Sequence, residues 1–269
     1  MRATAVRRTA LAASAAALAL LATACGGSSD SDAQDGKDGN GAANGSSSAP
    51  KTPAKALTAA ELEKATLAQG DVKGTKITKA GPADEVPADG VKVDKEACLP
   101  IAHAMSGVPQ EGAAATTKRK VIDEPKKTDE KSLEDLAEGE AEDLFKDAFN
   151  LTSTAVVLSS YEGTAGPDAF ATLKKAAADC AGGFTATIDK TPTKVASITE
   201  EKVTGGDEAA AWTVTSEADG DTVPLKLAVL RKEGTVATFF AFNLAAAGGE
   251  GVKFELPTAV VAAQDKKLA

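Results

Sequence analysis

The chain has 269 residues, of which 26% are charged and 43% are hydrophobic, as in ordinary globular proteins. Asp and Glu outnumber Lys and Arg by 39 to 30, and the resulting formal charge of −9 disfavours nucleic-acid binding. A single histidine, His103, excludes a metal site built from several histidines and a triad that needs a second imidazole within this chain.

The first 24 residues are typical of a bacterial export signal. They begin with arginines, continue with an apolar run over residues 11–21 and end with small residues before Cys25. The segment Leu21-Ala-Thr-Ala-Cys25 resembles the lipobox of bacterial lipoproteins, which implies cleavage before Cys25 and attachment of fatty acyl chains such as palmitate to it. Two or three acyl chains would form a firm membrane anchor. Ordinary secretion with cleavage nearby is the alternative.

Residues 25–55 are predicted to form a disordered tether. They are mostly Gly, Ser, Asp, Asn, Ala and Pro, so that burial of side chains cannot offset the entropy lost on ordering. A flexible chain of this length has a root-mean-square reach of roughly 30 Å. The remaining residues, 56–269, are predicted to form one globular domain.

The predicted domain begins with a short helix and then a helical segment that contains Cys98. Thr58 and Glu61 have the spacing of a capping box, which predicts the start of the first helix. Pro100 lies inside the second segment, and because a proline disfavours a helix interior, two short turns are predicted there.

Residues 110–148 are predicted to form a long loop followed by an acidic helix. The basic cluster Lys118-Arg-Lys120 is interpreted as part of the solvated loop, because acidic residues follow it closely. Nine acidic residues lie between Asp129 and Asp147, but without the spacing of a calcium-binding loop. A solvated helix face is therefore the preferred interpretation.

Residues 150–188 form the clearest pattern in the chain. Residues 151–161 are rich in β-branched side chains and predict a strand. Pro167 then fits the first turn of a helix that ends near Cys180, since apolar residues recur at helical spacing between them. Phe184 to Ile188 alternate between apolar and polar residues, which predicts a second strand.

The C-terminal part predicts a meander of strands and a final helix. Strands are expected over residues 195–203, 210–216, 222–231 and 235–243, and a helix over residues 257–268. Short turns between strands make neighbours antiparallel. The fold class is therefore predicted as α+β, with one curved antiparallel sheet, helices packed on one of its faces and a single disulfide.

The cysteines indicate the compartment and limit the chemistry. With Cys25 at the end of the export signal, Cys98 and Cys180 remain as one pair, and a disulfide between them is expected in an oxidising compartment. This pairing leaves no free thiol for catalysis. His103 is interpreted as structural. No cofactor or metal motif is found, and an enzyme is not predicted, although a hydrolase based on two carboxylates stays a minor alternative.

Two motifs resemble the extracellular sensor domains of PknH-type receptor kinases of actinobacteria and related lipoproteins. The first is Glu96-Ala-Cys98-Leu-Pro100, and the second is Val156-Val-Leu-Ser-Ser-Tyr161 followed by the helix that ends at Ala178-Asp-Cys180. The resemblance spans about residues 57–243. It implies a ligand-binding or sensing module, with no site residues that can be carried over.

A lipid-anchored binding or sensor-like domain on the outer face of the cell membrane is therefore expected. The alternative is an envelope scaffold that binds another protein. A cleft between sheet and helices would favour a small apolar ligand, and a flat surface would favour a protein partner. The candidate lining residues of such a cleft are Phe170, Leu173, Phe240 and Phe242.

The lipid anchor makes a direct prediction. Cys25→Ser removes the sulfur that would be acylated, so the protein should be released into the culture medium. Immunoblots of membrane and medium fractions measure the distribution of variant and wild type side by side. Equal retention of both on the membrane would contradict the lipoprotein interpretation.

Overall fold

The computed structural model describes residues 54–124, 150–218, 220–247 and 254–268, all within one unit, Pro50–Ala269. The predicted signal peptide, nearly all of the predicted tether and the predicted acidic helix lie outside these ranges. None of the helices in the described ranges is both long enough and apolar enough to cross a membrane.

Nine strands form a single sheet in this part of the chain, in the order β1-β3-β4-β9-β8-β7-β6-β5-β2, with every pair antiparallel. The strands are β1 Thr75–Lys79, β2 Val91–Val93, β3 Ala115–Asp123, β4 Thr152–Ser160, β5 Phe184–Ile188, β6 Thr191–Glu201, β7 Glu208–Ala218, β8 Asp221–Lys232 and β9 Thr235–Asn243. The helices are α1 Ala59–Ala65, α2 Leu99–Met105, α3 Ala165–Asp179, α4 Leu244–Ala247 and α5 Thr258–Lys267.

Several local predictions are confirmed. The α+β class, the antiparallel sheet and the Cys98–Cys180 disulfide are all present. At α1 the Thr58 hydroxyl accepts the Glu61 N–H at 3.3 Å, and the Glu61 carboxylate accepts the Thr58 N–H at 2.8 Å, which completes the capping box. Pro100 is accommodated because a 3₁₀ turn precedes α2 and the proline lies in the first turn of that helix.

The prediction of a loop around residue 118 is wrong, because this segment belongs to β3. The strand pairs with β1 on one side and with β4 on the other. Its β-branched residues, such as Thr117 and Val121, suit a strand, but the charged residues between them concealed the pattern. The basic cluster is not solvated either, since the side chains of Lys118 and Arg119 are only 14% and 10% exposed.

Helices cover both faces of the sheet, whereas the sequence had placed them on one. Helices α2 and α3 belong to a core on one face, and residues of α1 and α5 belong to a second core on the other face. The reason is visible in β8, where Leu227, Ala228, Val229 and Leu230 are all fully buried. Since neighbouring residues of a strand point to opposite faces, such a continuous apolar run requires cover on both.

The sheet is curved because residues 80–90 connect β1 to β2, which lie at its two opposite edges. A flat nine-stranded sheet would be roughly 38 Å wide at about 4.8 Å per strand spacing. The connection contains two 3₁₀ turns, so it reaches only roughly 30 Å. The edges must therefore approach each other on the face that carries α2 and α3, which becomes concave.

The disulfide joins the two helical parts that lie on the concave face. Cys98 lies directly before α2 and Cys180 directly after α3, and both are fully buried. It closes a loop with a sequence separation of 82 residues, which the chain-entropy model converts to about 4.5 kcal/mol of stabilisation.

Cys98→Ser should lower the melting temperature markedly, because that stabilisation is a large part of the roughly 5 to 15 kcal/mol of a typical domain. Reductant should lower the melting temperature of the wild type similarly and leave the variant unchanged. Thermal unfolding followed by circular dichroism measures both effects. Detection of two reactive thiols from Cys98 and Cys180 in the unfolded, unreduced wild type would contradict the bond.

Candidate functional site

A cavity of about 550 Å³ lies on the concave face, over β3, β4 and β9. Its floor follows from the strand register, in which Ala155 of β4 is paired with Lys120 of β3 and with Phe240 of β9. The next row along the strands consists of Ile122, Ser153 and Phe242. Short side chains in the middle strand, flanked by long ones on both sides, leave a depression in the sheet surface.

The segment that joins the two sheet edges forms one wall of the cavity. Ala80, Asp84 and Val86 of this segment line it, together with the end of α2 around Met105 and with Ile188 of β5. Strand β5 lies four positions from β9 in the sheet, so its presence in the same lining reflects the curvature. The cavity is thus lined by parts of the chain that are remote in sequence.

Two ion pairs fix this segment against β3. Lys118 pairs with Glu85, and Lys120 pairs with Asp84. Asp84 also accepts the backbone N–H of Gly81 at 2.9 Å. The hydrogen bond from Lys120 is the main cause that lowers the pKa of the Asp84 carboxyl below its usual value, so this carboxylate stays ionised near neutral pH.

The structure brings together two of the four predicted cleft residues. Phe240 and Phe242 line the cavity, and Phe242 is 37% exposed, the one large apolar side chain classed as exposed in the described ranges. Phe170 and Leu173 of α3 do not line it, since they are 3% and 0% exposed in the core of the same face. Ligand binding at this position stays a prediction.

The sequence did not point to the other lining residues of interest. Lys118, Lys120 and Ala155 were hidden because β3 was not recognised and because an alanine in a strand carries no functional signal. Alternation within β3 was the available signal, since it places residues 118, 120 and 122 on one face and Arg119 on the other. Asp84 could be connected to Lys120 only through the fold.

Other depressions of the described surface are less suited to an apolar ligand. One of about 870 Å³ is lined by several charged side chains, among them Glu63, Lys79 and Glu111. Another of about 520 Å³ lies beside His103, whose Nε2 is buried without a hydrogen-bond partner and whose pKa is lowered by burial. No three potential metal ligands converge anywhere in the described ranges.

On the opposite face, Arg119 binds Glu63 of α1 at 2.7 Å. The same carboxylate accepts the Thr117 hydroxyl at 2.6 Å. The hydrogen bonds from Thr117 and then from Arg119 lower the pKa of Glu63 from 4.5 to about 2. This contact joins α1 to β3 on the second face. Because the residues of a strand alternate between its two faces, Lys118 and Lys120 lie on the side of the cavity.

Glu63→Gln should therefore destabilise the protein at neutral pH, by up to about 1 kcal/mol because the carboxylate is 41% exposed and solvent screens it. A carboxyl with a lowered pKa contributes stability above its unfolded pKa and loses it as the pH falls. The difference between variant and wild type should thus shrink between pH 4.5 and about 2. Urea unfolding across this range measures it, with Glu111→Gln as an exposed control. A difference that does not depend on pH would contradict the assignment.

Comparison with solved structures finds three similar chains. The crystal structure of the extracellular domain of PknH from Mycobacterium tuberculosis is similar to this chain with a TM-score of 0.47 and 13% sequence identity, over 80% of this chain and 97% of that one. No protein-family model matches the sequence, and neither does any curated protein. What the cavity binds has to follow from its own residues.

Proposed function

We propose that this protein is a lipid-anchored, ligand-binding or sensor-like domain on the outer face of the cell membrane, and that the cavity over β4 is its ligand site. The cavity is the observation that carries the proposal. Its volume of about 550 Å³ lies within the range of roughly 300–1,000 Å³ that is usual for small-molecule sites, and most of its lining is apolar.

The disulfide supports the compartment. A buried Cys98–Cys180 bond is expected to persist in an oxidising environment outside the cytoplasm. The export signal and the lipobox around Cys25 agree with that environment. The acyl chains on Cys25 would then anchor the protein in the membrane, and the globular domain would bind the ligand.

Binding is a better account of the cavity than catalysis. The charged side chains among its described lining residues are Asp84, Lys118, Arg119 and Lys120, and each of them takes part in an ion pair. A general acid or base needs a pKa near the working pH, whereas the pKa of Asp84 is lowered. The disulfide also withdraws both described cysteines from nucleophilic chemistry.

A small ligand is favoured over a protein partner. Docking surfaces for proteins usually present a contiguous exposed apolar patch. In the described part of the chain, Phe242 is the one large apolar residue that is exposed, and it lies at the cavity. Native mass spectrometry of protein extracted from cells tests the proposal, because a bound lipid or other small apolar molecule would appear as added mass.

Ala155→Phe should fill the floor of the cavity and weaken binding of a neutral apolar probe such as dodecanol by at least about tenfold. Isothermal titration calorimetry measures the affinity. Ala171→Phe, on the exposed surface of α3, is the matched control and should bind like the wild type. If both variants bind dodecanol as the wild type does, or if the wild type binds neither dodecanol nor its anionic analogue dodecanoate, the cavity is not the ligand site.

A further inference from the structure

The charge of the cavity lining is opposite to that of the whole chain. The chain carries a formal charge of −9, yet its cavity is lined by three cationic residues and one acidic residue. Two of the cations, Lys118 and Lys120, belong to the concave face, while the guanidinium of Arg119 binds Glu63 on the other face. Lys118 lies between this cavity and the adjoining depression of about 870 Å³, which its partner Glu85 also lines.

The two lysines are spaced to share one anion. Residues 118 and 120 project from the same face of one strand, about 6.6 Å apart along it. An ammonium group has three N–H donors, and one carboxylate partner for each lysine leaves further donors for a ligand. Ammonium groups bind carboxylate and phosphate groups through charge-assisted hydrogen bonds, so these remaining donors favour an anionic head group.

The apolar wall lies opposite these lysines. In the register, Lys120 and Phe240 flank Ala155, and two strand spacings of about 4.8 Å separate β3 from β9. A ligand that spans this distance meets ammonium groups on one side and aromatic rings on the other. Phe242, at 37% exposure, continues the apolar wall to the surface.

From this arrangement we propose that the cavity binds an anionic amphiphile. Its head group lies at Lys118 and Lys120, and its apolar part lies over Ala155 against Phe240 and Phe242. This inference rests on the proposed function of the cavity as a ligand site, and it adds the chemical class of the ligand.

The experiment compares dodecanoate with dodecanol, which have the same chain length but differ in head-group charge at neutral pH. The full chain is used as the Cys25→Ser variant, so that its own acyl chains cannot occupy the cavity. Titration calorimetry gives both affinities, and their ratio is the readout. With no change in the cavity, the affinity for dodecanoate should be about tenfold higher than the affinity for dodecanol, and this ratio should decrease as salt is added.

Lys120→Met should reduce this ratio by roughly threefold, because methionine keeps an apolar side chain and removes one of the two ammonium groups. Asp84→Asn should raise the ratio, because it removes the nearby negative charge while its amide oxygen can still accept the Gly81 N–H. Lys175→Met on α3 removes the same charge from a side chain that is 75% exposed, so it should leave the ratio unchanged.

Each outcome separates the inference from the proposed function. If dodecanol binds as tightly as dodecanoate, or if Lys120→Met and Lys175→Met change the ratio equally, the anionic ligand class is wrong and the apolar site stands. If neither probe binds to the wild type, the ligand site itself is wrong. The opposite directions expected for Lys120→Met and Asp84→Asn exclude general loss of folding as the cause.

Discussion

The short connection between the two edges of the sheet is the constraint on which the concave face depends. Residues 80–90 must link β1 to β2 across nine strands, and they are too compact to do so over a flat sheet. Curvature in turn creates a face on which α2 and α3 pack but which they do not fill. The same segment then lies over the remaining space, where Asp84 and Glu85 pair with lysines of β3. The segment that connects the two edges of the sheet therefore also forms a wall of the cavity.

Strand β3 serves both faces of the sheet through simple alternation. Arg119 projects to α1 and binds Glu63, so it contributes to packing on the convex side. Lys118 and Lys120 project to the concave side, where they hold the connecting segment and line the cavity. Three adjacent charges in the sequence are thus divided between a contact with α1 on one face and the lining of the cavity on the other. The division requires only the two-residue period of a strand.

The sequence predicted the elements whose signals are local. The capping box at Thr58, the unit β4-α3-β5 and the final helix each contain their own start and stop residues, and all are present. The position of α1 and α5 on the second face of the sheet was missed, and so was strand β3, because both depend on partners far along the chain. For the site, Phe240 and Phe242 were identified by apolar alternation along a strand, while Phe170 and Leu173 were identified by helical spacing and are buried in the core. No local signal distinguishes an apolar residue that lines a cavity from one that fills the interior.

The placement of ion pairs at an apolar cavity needs an explanation beyond stability. Partly exposed ion pairs contribute little to folding, and the cost of desolvating an ammonium group can exceed the Coulombic gain when a pair is more deeply buried. Lys118 is only 14% exposed, and an apolar side chain at this position would meet no such cost. A ligand that carries the complementary charge offsets the cost of desolvation whenever it is bound. This agrees with the proposed anionic ligand, and in the structure Asp84 and Glu85 balance the charge of the two lysines.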